Sequence, residues 1–287
     1  MEEEKFFRKI GETHSGERLD KALSSLLPSF SRREWRRLIS KGSVYLNGKR
    51  CLKLSKILKK GDLVEILLNN KKKKEEEPFE IIFDEFGLIA VNKPPFLSSV
   101  PTKTEIYSAQ TIVAKEKGLD LREVHPVNRL DKPVSGLLLF AYKKDTARKI
   151  ELLKKENLIE KVYFAWVAGV PPQKEGKIEF TISAIKGTAY IDSKGKESIT
   201  IYKTIKNVKE FSFLEIRPIT GRMHQIRLHL KEAGFPIVGD KKYSHYSNNW
   251  CRPLLHCSKI SFFLEKNIVI EARIWDDFTL FEKEIMV

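Results

Sequence analysis

Residues Lys71-Lys72-Lys73-Lys74-Glu75-Glu76-Glu77-Pro78 constrain the fold of this chain more than any other stretch. Four like charges, three opposite ones and a proline cannot enter a core, so the run reads as a solvated linker. The 287 residues then divide into a segment at 14–74, which includes the lysine half of that linker, and a body at 79–287. Between His14 and Lys74 there are 17 Lys+Arg and 5 Asp+Glu, or +12, so only +3 of the formal +15 is left for the rest. A basic module on a nearly neutral body points to a polyanionic partner. The acidic start Met1-Glu2-Glu3-Glu4 is unlike a secretory signal, and apolar runs such as Leu137–Ala141 are too short for a bilayer. Three cysteines cannot build a paired disulfide framework. The expectation is a cytoplasmic protein with no membrane contact.

Within the module, Arg18 to Leu27 has helical spacing and stops before Pro28. Ser31 and Glu34 form a capping-box pattern for a second helix that ends at Gly42. On that helix Arg32, Arg33, Arg36, Arg37 and Lys41 occupy one half of the cylinder, with Trp35, Leu38 and Ile39 on the other. Asn47-Gly48 marks a hairpin between Val44–Leu46 and Lys49–Cys51, and Lys60-Gly61-Asp62 turns into a strand at Leu63–Leu67. Five cations on one short helix repel one another, and a phosphate backbone would relieve that repulsion. The segment resembles the small RNA-binding domain named after a small-subunit ribosomal protein, in Arg18–Leu23, Ser31-Arg32-Arg33, Lys41–Gly48 and Lys60-Gly61-Asp62. The resemblance implies that these cations contact RNA.

The body reads as short β segments with occasional helices and no regular βαβ alternation. Its expected class is α+β with a largely antiparallel sheet. Candidate strands are Ile81–Phe83, Leu88–Val91, Leu137–Phe140, Val162–Val167, Ile178–Ile182, Ile199–Tyr202, Phe211–Ile216 and Ile268–Ile274. One helix is expected from a cap at Asp145 through Glu156, and another over about Met223–Ala233. No metal site is expected: His224 and His229 lie about 140° apart on a helix, and Cys251, His256 and Cys257 lack paired spacing. No glycine-rich phosphate loop is present either.

The conspicuous segment is His125-Pro126-Val127-Asn128-Arg129-Leu130-Asp131-Lys132-Pro133-Val134-Ser135-Gly136, which runs into Leu137-Leu138-Leu139-Phe140. On local composition alone a plain turn is the simpler reading. The wider pattern resembles the pseudouridine synthases of the RluA family, whose signature is His-Arg-Leu-Asp-x-x-Thr-Ser-Gly followed by leucines. Further matching stretches are Gly221–Leu230 with Gly234–Tyr243, Glu160–Gly169 and, more weakly, Arg252–Cys257. The departures are Asn128 for the usual His, Val134 for Thr, and Met223 for Thr or Ser. They bear on the hydrogen bonding that aims the Asp131 turn.

The resemblance implies an isomerase acting on uridine in RNA, with no cofactor, and a catalytic set of Asp131, Tyr163 and Arg227. Arg227 would keep the Asp131 carboxylate ionised. Tyr163 would stack on uracil, and strand alternation puts it opposite Phe164 and Trp166, toward a cleft. Leu255 would wall the base, Arg129 would fill the place of a displaced nucleotide, and Arg222 would meet phosphate. Ribosomal RNA of the large subunit is the expected partner, transfer RNA the next, and a monomer the expected state. A non-catalytic RNA-binding or ribosome-assembly protein on the same scaffold is the competing reading.

Overall fold

A computed structural model describes residues 4–27, 30, 32–40, 42–68, 79–102, 105–185, 187–244, 250 and 252–286. Side chains of 4–7, 32, 67 and 68 fall outside that description. So do Ser31 of the expected capping box, Lys41 and the linker at 71–78. Two compact units result, one built on Met1–Glu76 and the other on Glu77–Tyr246 with Arg252–Val287.

The first unit contains β1 (Glu4–Lys9), α1 (Leu19–Leu26), α2 (Arg32–Ser40), β2 (Val44–Leu46), β3 (Lys49–Arg50) and β4 (Leu63–Leu68). Its sheet runs β1-β4-β2-β3 and is antiparallel throughout. Strand β1 lies upstream of residue 14 and pairs with β4 along its whole length. Trp35 and Ile39 on α2 are fully buried against Leu19, Leu23, Val44 and Ile66. Arg33, Arg36 and Arg37 are exposed, so among the described side chains the amphipathic split agrees with the sequence reading. Gly42 sits at φ +73°, and Asn47 and Gly48 make a hairpin turn with both residues at positive φ.

The second unit contains, in order, β5 (Ile81–Glu85), β6 (Leu88–Lys93), α3 (Ala109–Lys117), β7 (His125–Pro126), β8 (Ser135–Ala141), α4 (Lys144–Lys155) and β9 (Glu160–Ala168). The chain continues through β10 (Glu175–Ile185), β11 (Thr188–Ile191), β12 (Lys196–Val208), β13 (Phe211–Pro218) and α5 (Gln225–Glu232). It ends with β14 (Leu255–Phe263), β15 (Asn267–Glu271) and α6 (Asp276–Met286). The sheet order is β11-β10-β12-β13-β9-β14-β8-β6-β5, with β15 on β14 and β7 on β8. Among the described residues every strand pair of this sheet is antiparallel except β8 with β14.

That exception brings two distant segments together. Gly136 pairs with Cys257 at φ +114°, and a Cβ there would stand 2.3 Å from the Cys257 carbonyl oxygen. Only glycine lets the strands meet at this point. Strand β8 is buried from end to end, as its unbroken apolar run requires.

Several boundaries differ from the sequence expectation. Helix α5 begins at Gln225, because His224 takes a left-handed backbone, φ +51°, and becomes the N-cap. Helix α4 begins at Lys144 with Lys143 in the cap position, and Asp145 lies in the first turn instead of capping. There its charge still complements the helix dipole. Strand β15 ends at Glu271, short of Ile274. Helices α3 and α6 and strand β14 have no counterpart in the sequence reading.

Candidate active site

Asp131 ends a buried bend. Asn128 fastens that bend to β8 with both ends of its amide: Nδ2 donates to the Leu137 carbonyl at 3.0 Å, and Oδ1 accepts from the Leu139 N–H at 2.9 Å. Ser99 closes the other side, accepting from the Leu130 N–H and donating to the Leu130 carbonyl. The Val134 N–H donates to the Asp131 carbonyl, and the Val134 side chain is buried in the core. Two of the three departures from the usual pattern therefore have clear roles. Asn128 supplies the bonds that aim the turn, and Val134 packs. Met223 is about half exposed.

The Asp131 carboxylate, 25% exposed, accepts at Oδ2 from Arg227 Nη1 at 2.7 Å. Arg227 is buried and its other edge is occupied as well: Nε and Nη2 donate to the two oxygens of Asp240, each at 2.7 Å. Asp240, 1% exposed, also accepts from the backbone N–H of Lys242 at 3.0 Å. Burial opposes the guanidinium charge, but Asp240 and Asp131 more than offset this, so Arg227 holds its proton more tightly than a free arginine. A rigid cation is thus fixed by one carboxylate and aimed at another.

His224 adds a second contact, with Nε2 3.7 Å from Asp131 Oδ2 and Nδ1 2.6 Å from the Tyr243 hydroxyl. The Tyr243 ring lies under the Arg227 guanidinium at 5.1 Å. Burial lowers the His224 pKa; Asp131 and Asp240 raise it, and Arg227 and Lys242 lower it further. Its backbone conformation costs on the order of 1–3 kcal/mol, which persists only where the surroundings enforce it.

Tyr163 on β9 faces away from Phe164 and Trp166, as alternation requires. Those two rings pack on Phe213, while Tyr163 joins the main core. Tyr163 is only 7% exposed, which corrects the expectation of an open stacking face. Burial, the Cys257 thiol and the Asp131 charge push its phenol well above the usual range, so it stays neutral. The same burial pushes the Cys257 thiol up to about 12. Lys93 lies fully buried nearby, its Nζ donating to the carbonyls of Pro94 and Leu97, each at 2.9 Å. Burial drives its pKa well down, and the Asp131 charge partly opposes that shift.

The remaining expected residues do not converge on one point. Arg129 is exposed between the buried Asn128 and Leu130. Arg222 is exposed and its Nε donates to the Glu197 carbonyl at 3.0 Å. Leu255 is buried in the cluster that contains Tyr163. Arg33, Arg36 and Arg37 belong to the first unit, where they are exposed on α2.

A family model described as RNA pseudouridylate synthase matches residues 87–232, and one described as the S4 domain matches residues 17–64. The chain belongs to the RNA pseudouridylate synthase family. A protein of Rickettsia bellii named ribosomal large subunit pseudouridine synthase C is 36% identical over 203 residues, covering 68% of this chain and 64% of that protein. The chain thus spans a little under two thirds of that relative. An uncharacterized RNA pseudouridine synthase of Aquifex aeolicus is 30% identical over 258 residues, 83% of this chain and 80% of its own length. Among solved structures, human RNA pseudouridylate synthase domain containing 4 superposes with a TM-score of 0.59 at 22% identity, over 70% of this chain and 90% of that one. This last likeness establishes a shared fold.

Within this pseudouridylate synthase fold, sequence reasoning missed Asp240 and gave His224 no role. The signal for Asp240 was present in Gly239-Asp240-Lys241-Lys242-Tyr243, a stretch already matched to the family. An arginine expected to be buried beside one carboxylate invites a search for a second acid to hold it.

Proposed function

We propose that this chain isomerises uridines in structured RNA to pseudouridine, and that its substrate is large-subunit ribosomal RNA. The observation that carries the reading is the half-buried Asp131 carboxylate held at 2.7 Å by Arg227, which Asp240 in turn clamps. Membership of the family and the printed name of the Rickettsia relative support the reaction and the choice of RNA.

The reaction breaks the C1′–N1 bond, turns the uracil and joins C1′ to C5. The C5 proton is lost and N1 gains one, so nothing is oxidised and no group leaves. Side chains suffice for such chemistry: a carboxylate beside the anomeric carbon stabilises or traps positive charge, or takes a neighbouring sugar proton. Arg227 holds the Asp131 carboxylate at 2.7 Å and fixes its orientation. Neutral Tyr163 supports the base site from the core, as a buried ring with no open stacking face. Arg129 can occupy the gap left by a flipped nucleotide, at a flipping cost of a few kcal/mol. Leu255 lines the base pocket and Arg222 meets phosphate. Arg32, Arg33, Arg36, Arg37 and Lys41 grip the RNA backbone through counterion release. The protein would work in the cytoplasm, where its RNA is.

Pseudouridine mapping across total RNA, with and without this protein, tests the proposal. Loss of specific sites in large-subunit ribosomal RNA is expected; loss only in transfer RNA would reassign the substrate. Asp131→Ala should abolish modification while RNA affinity stays nearly unchanged. Undiminished turnover by Asp131→Ala would remove the mechanism.

A further inference from the structure

His224 touches Asp131, and the reading above leaves it without a task. Its Nδ1 lies 2.6 Å from the Tyr243 hydroxyl, and that hydroxyl accepts from the Ala189 N–H at 3.0 Å. The alternative acceptor for the Tyr243 proton, the Ala189 carbonyl, is farther away at 3.3 Å. The shorter contact favours donation from Tyr243 to Nδ1, which leaves that nitrogen unprotonated and puts the ring proton on Nε2. The far side of the ring argues the same way. Nε2 faces the Asp131 carboxylate at 3.7 Å, where a proton is attractive and a lone pair repulsive.

A doubly protonated ring is disfavoured by its surroundings. The groups facing it are Asp131, Asp240, Arg227, Lys242 and Tyr243, so two cations offset the two carboxylates. Burial and the positive end of α5 add to the case against charge.

The consequence falls on the two carboxylate oxygens of Asp131. Oδ2 accepts from Arg227 and is faced by the His224 N–H, whereas among the described residues no donor reaches Oδ1. We propose that His224, as the neutral Nε2–H tautomer set by Tyr243, is a positioning residue that fixes Oδ2 and leaves Oδ1 as the oxygen presented to the sugar. At 3.7 Å the contact is longer than a hydrogen bond, and catalytic contacts of this kind often tighten into one only in the reacting complex. The inference rests on the isomerase reading, and its chain of contacts runs from β11 through Tyr243 and His224 to Asp131.

Long-range nitrogen–proton correlation NMR on the full chain labelled at histidine reads the tautomer directly, and Nε2–H is expected for His224 near neutral pH. An Nδ1–H ring would overturn the inference. In single-turnover assays on an RNA that the wild type modifies, His224→Ala should slow the chemical step about ten- to a hundred-fold with KM little changed, the rate equivalent of one hydrogen bond to a charged group. His224→Gln, which restores a donor, should recover most of that loss. Full activity in His224→Ala, or equal impairment of both variants with native-like melting, would overturn the positioning role alone. Wild-type protein that modifies no uridine would instead overturn the isomerase reading on which the role depends.

Discussion

Two buried arginines in the second unit are built alike and used differently. Arg227 and Arg252 each turn Nε and Nη2 onto both oxygens of a buried aspartate, Asp240 for one and Asp277 for the other, at 2.6–2.8 Å. Each guanidinium also lies over an aromatic ring, Tyr243 at 5.1 Å and Phe278 at 5.6 Å. The difference is the third nitrogen. In Arg252, Nη1 donates to the Pro253 and Leu255 carbonyls, so the pair is neutral and closed. In Arg227, Nη1 reaches Asp131, so one cation serves two carboxylates and the second of them is open to solvent. A closed pair fixes α6 to the start of β14; an open one leaves the second carboxylate facing solvent, where a substrate can meet it. Burial and bidentate geometry alone do not separate the two pairs. The exposed second carboxylate does.

Asp131→Asn should break the comparison most severely. It removes the solvent-facing anion, and pseudouridine formation should fall by a factor on the order of 10⁴ or more, while the urea midpoint barely moves. Arg252→Ala should do the reverse. It strands Asp277 in the interior at a cost of about 3–5 kcal/mol, read as a lower urea midpoint, while the protein that remains folded keeps its turnover. If the folded fraction lost turnover as severely as Asp131→Asn, the two arginines would not be distinct.

Asp240→Asn sharpens the contrast. Arg227 loses half its clamp and Asp131 loses a fixed partner, so the single-turnover rate should fall about a hundred-fold, the scale of a charged hydrogen bond. Asp277→Asn should leave that rate alone.

The smallest effect is on pH dependence. Burial, helped by the Arg252 charge, pushes His256 down to about 3, and burial pushes His229 down to about 4. Both are neutral in the fold, whereas in the unfolded chain both take up protons near pH 6.5. Stability is therefore complete above about pH 6.5 and falls as the pH drops toward 4. Urea midpoints near pH 5 should report about 2 extra protons bound on unfolding from these two histidines together, and His224, also held below its ordinary value, adds to that number. His256→Asn should lower the total by about one proton.

Much of this molecule was legible before folding. Alternation put Tyr163 opposite Phe164 and Trp166, and the helical repeat put Trp35 and Ile39 inward with Arg33, Arg36 and Arg37 outward. These are properties of neighbouring residues, and a fixed period carries them. Strand β14 was not legible. It opens with Leu255-His256-Cys257-Ser258-Lys259, which has no clear period because the strand is buried on both faces at that end. The openness of Tyr163 was misjudged for a related reason: alternation gives the face of a strand but not what covers it.

The sequence by itself determined the basic helix, most of the local strands and turns, and the kinds of residue available to the site. Only the tertiary structure decided that Arg227 serves two carboxylates, that Asn128 bridges to β8, and that Asp240, Tyr243 and His224 stand around Asp131. The physical reason is separation along the chain. Asp131 and Arg227 lie 96 residues apart and meet at 2.7 Å, and no local preference encodes such a meeting. It is fixed by the close approach of β8 to β14 at Gly136 and by the packing of α5 onto the sheet.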